Sequence, residues 1–548
     1  MAVTILEKQT KQRINHHSVK LSDISTTDIR TWKPWQKVIF RMSFIFFIIM
    51  SVPSGVEWWD RTIRLDWFHP NYRDIYDIAR FLPDMPFVGH YQKGFWSFID
   101  WYEILAVSIV GGTAWTLLDR RSNEYNRLYY WLRVVVRYRA GIGMVGFGMQ
   151  KVFPVQMAYP PLSILDTPLG DMTMQKLYWW VIGISPFYQT FTGFVELGSG
   201  LLLFHRKTTF WGAVLLVMAL GSVNYVNIAY DGNVHVYSTY FVVYGLFLVV
   251  YYAKDIYHIQ FKERVTIPQH FYPYFSSQGW KITRFGLKAL NISVFLILLP
   301  YLQYLNFVYD PYNQPSAPGV KSLRGSYNVT AFKINNQGIP FSPLDSVRWQ
   351  NVYFEKWSTL SFRINMKIPA DISNRIKEPE IKRFIDNEGF NFNSGAPQRD
   401  IDRTLEVFSA NQRSFYYRAD TVNQVLYLQD KSTYVNAGDS VRALSPNPRL
   451  WFYKTNWISS EAGKNMFSEI DGIPTVAQST RRTRAYTKEV PLDKMRDRMV
   501  LHYEVTNDGA KVVLSGLNER ADSIYVELQK VNKKYLLPES SLVGGKYD

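Results

Sequence analysis

A chain of 548 residues with 20% charged residues, a formal net charge of +16 and no cysteine cannot exchange disulfides, ligate an iron–sulfur cluster through cysteine or use a thiolate nucleophile. The positive charge does not point to nucleic acid either. Its basic residues cluster beside apolar runs, with no zinc-ligand spacing and no basic zipper.

The mean hydropathy of -0.15 averages two unlike halves. The N-terminal stretch MAVTILEKQTKQRINHHSVKLSD is polar and lacks the features of a cleavable signal peptide. The first apolar run, VIFRMSFIFFIIMSV, begins at residue 38 and reads as a retained anchor. Apolar segments at 38–54, 99–118, 128–149, 187–204, 209–229, 236–253 and 286–308 predict a membrane helical bundle of about seven spans. TMQKLYWWVIGIS at 173–185 reads as an interfacial helix, with Trp179 and Trp180 in the headgroup belt.

Orientation follows from the short basic loops. Lys33, Lys37 and Arg41, then Arg120, Arg121 and Arg127, then His205, Arg206 and Lys207, then Lys254, Lys262, Arg264, Lys281, Arg284 and Lys288 fall on one side if seven helices alternate. That side is expected to be the cytoplasm of a bacterial inner membrane, with the N-terminus inside and the C-terminal half in the periplasm. The loop at 55–98 is long and mixed in charge and weighs little in this argument.

Residues 1–309 thus form the membrane domain, DPYNQPSAPG at 310–319 is a proline-rich linker, and 320–548 form a second domain. Runs such as GSYNVTAFKIN, VNQVLYLQ, MVLHYEVTNDGAKVVLSGL and SIYVELQKV alternate apolar with polar residues and break at Asn-Asn-Gln-Gly or Asn-Asp-Gly. They predict an antiparallel β domain, a small barrel or a sandwich. Helical patches are expected at 378–390 and 492–499.

Ionisable and amide side chains inside spans need partners or a water-filled cavity. With the topology above, Glu103, Gln150, Lys151, Asn224, Asn227, Asp231 and His235 fall at similar height toward the outer face, and Glu196 sits nearer the middle. A polar pocket open to the outside is the sharper reading. Lys151 and His235 are the candidate proton-moving groups; Glu103, Gln150, Glu196, Asn224, Asn227 and Asp231 are the candidate ligand-binding groups. Arg137 with Glu196 is the expected structural ion pair. The plainer readings are that Arg133 snorkels, Asn224 and Asn227 bridge helices, His235 is a satisfied interfacial histidine and Lys151 anchors to headgroups. Gly141, Gly143, Gly146, Gly148, Gly193, Gly198 and Gly200 permit close helix contact or, less commonly, ligand approach. No metal site is expected.

From GFGMQKVFPVQM through DTPLGDMTMQKLYWWVIGISPFYQTFTGFVELGSGLLLFHRKTTFWGAVLLVMALGSVNYVNIAYDGNVHVYSTYFVVYGLFLVVYYAKDI the chain resembles DoxX-like membrane proteins. The likeness covers residues 31–255 and is strongest in Glu-Leu-Gly-x-Gly-Leu-Leu-Leu followed by a basic turn. It is nearest to the Bacteroidota type, which adds a C-terminal β domain. The resemblance implies a helical bundle and a link to quinone, because DoxX relatives include a subunit of a thiosulfate:quinone oxidoreductase. A more distant likeness, to the HTTM membrane domain of vitamin K-dependent carboxylases, implies that a helix-end lysine, here Lys151, acts as a base on a hydroquinone.

These observations lead to the expectation of a quinone or related lipid bound in an outer-leaflet pocket, in quinone-linked redox chemistry. The alternative is a non-catalytic membrane subunit whose β domain recruits a protein partner, with Trp349, Trp357, Trp451 and Trp457 as candidate contacts. A third reading makes the β domain a lipocalin-like barrel with its own ligand.

Overall fold

The computed structural model describes residues 32–364 (without 71, 84, 86–96, 120, 173, 231–233, 265–269, 274–276, 312–316 and 344), 412–430, 458, 460–466, 473–477 and 498–547 (without 507–508, 538 and 546). The expected helical patch at 378–390 and residues 492–497 of the one at 492–499, together with Asp231, Trp451 and Trp457, lie outside the described residues; Arg498 and Met499 open a strand instead of closing a helix.

Helices occupy every segment the apolar runs predicted. They are α1 Pro34–Ser51, α4 Ile99–Leu118, α5 Asn126–Val152, α8 Pro186–Phe204, α9 Thr209–Ala229, α10 His235–Val250 and α12 Gln278–Tyr309. Shorter helices intervene: α2 Val56–Ile63, α3 Tyr72–Ala79, α6 Leu162–Leu165, α7 Met174–Ile184 and α11 Ala253–Gln260. A π-helical stretch at Ile292–Leu298 in α12 leads into Pro300, which has no N–H to return to the preceding turn.

The expected count of about seven spans is not supported by length and composition. Three helices among the described residues, α4, α9 and α12, are long and apolar enough to cross a membrane, or four if α10 and α11, bent by 64°, are one broken span. Lys37 and Arg41 in α1, the arginines of α5 and the Ser, Thr and Gly residues of α8 lower the hydropathy of those helices.

The bundle is apolar on its outside. Leu105, Val110 and Leu118 on α4, Phe187, Phe191 and Phe194 on α8, and Trp211, Met218 and Tyr225 on α9 are exposed, whereas Arg139, Gln150, Lys151, Gln189 and Glu196 are buried. Burying charge while exposing large apolar side chains inverts the pattern of a water-soluble domain.

The tightest helix contact is the antiparallel crossing of α5 and α8. A Cβ on Gly193 would lie 2.5 Å from the Val152 nitrogen, one on Gly148 2.8 Å from the Leu197 nitrogen, and one on Gly200 2.8 Å from the Gly141 carbonyl oxygen. Gly141 and Gly148 on α5, and Gly193 and Gly200 on α8, stand two turns apart along each helix, so one stripe of bare backbone lies on the other.

The C-terminal half is a closed antiparallel barrel of eight strands: β1 Gly325–Ile334, β3 Asn351–Phe354, β4 Thr359–Arg363, β5 Gln412–Asp420, β6 Val425–Asp430, β7 Arg498–Thr506, β8 Lys511–Leu517 and β9 Ser523–Val531. Neighbours in sequence are neighbours in the sheet, and β1 pairs with β9 (Phe332↔Val526) to close it. The two-residue strand β2, Gln337–Gly338, folds back on β1 through Asn335 and Asn336, whose φ values of 50° and 64° suit a two-residue hairpin turn.

Alternation sends Met499, Leu501 and Tyr503 of β7 inward and His502 and Glu504 outward. Tyr327, Phe354, Phe362, Phe415, Leu426, Leu514 and Val526 complete the interior, and Trp349 stacks on Phe362 with ring centroids 3.9 Å apart. Apolar and aromatic side chains from every one of the eight strands point into this interior. Trp349 and Trp357 are 4% and 5% exposed, so the expectation that they form an exposed contact surface is corrected: they pack inside the protein.

Gly193→Ala or Gly200→Ala is expected to lower stability by about 1–3 kcal/mol through overpacking against backbone. Gly198→Ala, whose Cβ would meet nothing within 4 Å, should be neutral or slightly stabilising. Thermal unfolding of the three variants in one mild detergent checks the contrast.

Candidate functional site

At the barrel end of the α5–α8 crossing, Lys151 Nζ donates to Glu196 Oε1. Both side chains are buried. Because the glycines bring the helix axes together, a lysine on one helix and a glutamate on the other meet without solvent between them. The expected Arg137–Glu196 pair is therefore corrected. Arg137 lies about four turns from Lys151, nearer the far end of α5, and donates instead to Thr209 Oγ1 at 3.3 Å, while Glu196 takes its cation from Lys151. The second carboxylate oxygen, Glu196 Oε2, is buried without a hydrogen-bond partner among the described residues. Burial, followed by the charges of neighbouring Tyr188 and Glu196, holds the Tyr178 phenol on α7 above its ordinary value.

The other expected residues that are described are held by separate partners. Gln150 Nε2 donates to Tyr72 Oη at 2.7 Å, which ties α5 to α3. His235 Nε2 pairs with Ser97 Oγ at 2.7 Å, and its ring lies edge-on to Phe98. Asn224 Oδ1 accepts from Ser238 Oγ at 2.9 Å and Thr239 Oγ1 at 3.0 Å, bridging α9 and α10. Asn227 Nδ2 donates to the Val223 carbonyl of its own helix at 2.8 Å. Phe147, Tyr237 and Phe241 pack against one another between α5 and α10. Glu103 differs from the rest. Both of its carboxylate oxygens are buried and without a partner among the described residues.

Two functional contacts escaped the sequence reading. The first is Arg139, buried in α5, which donates to the Ala79 carbonyl at 2.9 Å and the Phe81 carbonyl at 2.8 Å, with its guanidinium 3.9 Å above the Phe81 ring. A cation on carbonyls that the helix cannot satisfy itself anchors the end of α3 inside the bundle. The i, i+3, i+4, i+7 spacing of buried Tyr72, Ile75, Tyr76 and Ala79 was visible in the sequence, but it sits in a segment read as loop.

The second is Glu355, at the end of β3. Its Oε2 accepts from Leu162 N at 3.0 Å and its Oε1 from Ser163 N at 3.1 Å, so one buried carboxylate holds the first turn of α6. Lys533 with Asp166, and Arg363 with Asp171 at 3.7 Å, add ion pairs between the barrel and the same loop. Tyr535, pushed up to about 12 chiefly by burial, stays neutral beside them. Thr359, Ser361 and Ser414 are buried although alternation points them away from the barrel interior, and Ser361 and Ser414 hydrogen-bond to each other at 2.8 Å.

Among the described residues no three His, Asp or Glu side chains are grouped as a metal ion would require. No family model, curated protein or solved structure matches this chain. The DoxX-like likeness rests on the quoted motifs.

Lys151→Met strands the Glu196 carboxylate and is expected to cost about 3–5 kcal/mol, whereas Lys151→Met with Glu196→Leu recovers most of that loss. Thermal unfolding of both variants beside the parent measures the coupling; equal losses in the single and double variants would refute a direct pair.

Proposed function

We infer that this chain is an integral protein of a bacterial inner membrane, with its barrel held on the periplasmic face as a fixed module. In this reading it is a non-catalytic membrane subunit that positions the barrel for a protein partner. The observation that carries it is the mutual satisfaction of polar groups at the barrel end: Gln150, Lys151, Asn224 and His235 all have protein partners there. Each of these pairs fastens one element of the bundle to another. The exposed apolar faces of α4, α8, α9 and α12 support membrane insertion. Lys37 donates to the Ser122 carbonyl and Arg41 to the Asp119 carbonyl at the far end, and Arg206 stacks on Tyr272; this one-sided placement of basic residues supports the assigned orientation.

The second reading is a quinone or related lipid held near Glu103. An unpartnered buried carboxylate in a membrane protein is costly and is a functional group by default. Lipids that co-purify with the parent and with Glu103→Gln decide between the two. A stoichiometric quinone lost in the variant supports quinone binding, whereas a retained protein partner without quinone supports the subunit.

Because the chain has no cysteine, single cysteines report its topology directly. Arg520→Cys is expected to react with a membrane-impermeant maleimide in intact spheroplasts, and Lys207→Cys only after permeabilisation. The reverse pattern would reject the orientation. Glu355→Ala is expected to loosen the barrel from the bundle, read as faster limited proteolysis within 155–171, while the melting of the helices is little changed.

A further inference from the structure

At the end of the bundle away from the barrel, a pocket opens between α5, α9, α10 and the segment after α11. Its lining includes Arg133, Arg137 and Arg206 with Tyr130, Tyr252 and Tyr272. None of its lining residues is acidic, and none of the three arginines makes an ion pair among the described residues. Arginine in a structural role is ordinarily met by a carboxylate, because a desolvated guanidinium without an anion is costly.

The three arginines are held in place by other means. Arg133 lies with its guanidinium carbon 3.4 Å from the centroid of the Tyr251 ring, Arg206 stacks over Tyr272 at 4.8 Å, and Arg137 reaches Thr209 Oγ1. Stacking on a ring face leaves the N–H edges of a guanidinium free to donate. Arg133 Nε and Arg137 Nε are themselves buried without an acceptor. Lys288 on α12 stands close enough to interact with Arg137 and Arg206, which adds a fourth positive charge to the same region.

We propose that this pocket binds a phosphate-bearing anion, its oxygens bridging Arg137 and Arg206, with Arg133 on the inner wall. Phosphate matches the arrangement because its several oxygens can accept from more than one planar guanidinium fork at once. The group is either the headgroup of an acidic phospholipid seated between helices or a soluble phosphate compound reaching the pocket from the aqueous side. The pocket lies at the opposite end of the bundle from Glu103 and the barrel, so it holds whichever reading of the barrel end is right.

The test uses the full chain, delipidated in mild detergent and titrated separately with short-chain phosphatidylglycerol and with inorganic pyrophosphate. The proteins are the parent, Arg137→Gln, Arg206→Gln and Lys207→Gln. Arg206 and Lys207 are both exposed, so neither replacement leaves a buried group unpaired, and Lys207→Gln removes the same charge outside the pocket. The parent and Lys207→Gln are expected to bind alike, and Arg206→Gln and Arg137→Gln at least about tenfold more weakly, as loss of one charge-assisted bond implies. Binding of phosphatidylglycerol without pyrophosphate assigns a lipid headgroup; pyrophosphate binding that competes with the lipid assigns a soluble phosphate compound. Failure of the parent to bind either, or equal binding by Arg206→Gln and the parent, overturns the proposal.

Discussion

The backbone contact between α5 and α8 is the constraint on which the bundle depends. Four glycines remove the side chains that would keep two helices at an ordinary separation, and the helices close until carbonyl and amide groups touch. Only at that distance can Lys151 and Glu196 satisfy one another across the interface. An ion pair placed there contributes little net stability, because desolvating both ions offsets most of their attraction. Its effect is on register: any slip of one helix along the other would leave two buried charges apart.

From that crossing the polar groups of the bundle divide into two populations. Toward the barrel they are paired within the protein, and each pair fastens a particular element: Gln150 and Arg139 hold α3, Asn224 joins α9 to α10, and His235 holds the chain entering α4. Glu103 and, on α12, Gln303 are exceptions, with side-chain polar atoms that the described residues leave unmet, as they leave Glu196 Oε2. At the far end, Arg41 is satisfied by Tyr125 and the Asp119 carbonyl, but Arg133, Arg137 and Arg206 stack on rings and face one pocket.

The barrel is built on a different principle and is joined to the bundle by a few charged contacts. Its interior is closed by aromatic stacking, so it stands as a solid body. Glu355 then holds α6 by two backbone amides at once, a charge-assisted geometry stronger than a neutral hydrogen bond. Lys533 with Asp166 and Arg363 with Asp171 add to that hold.

By itself the sequence determined the locations of the long helices, the change to β structure after residue 320, and the strand ends that alternation and Asn-rich turns mark; β9 occupies the run SIYVELQKV from its first residue to its last. These are local properties, carried by residues within one turn or one hairpin of each other. Periodicity also identified the charged and amide side chains that a bundle must accommodate. It did not assign their partners: Lys151 was a candidate base, Arg137 the expected partner of Glu196, and the buried Trp349 and Trp357 expected surface contacts. Only the tertiary structure decided these. Partner choice depends on the rotation and separation of elements far apart in the chain, and those are set by packing, here by four glycines and by one barrel closing on its own aromatic core.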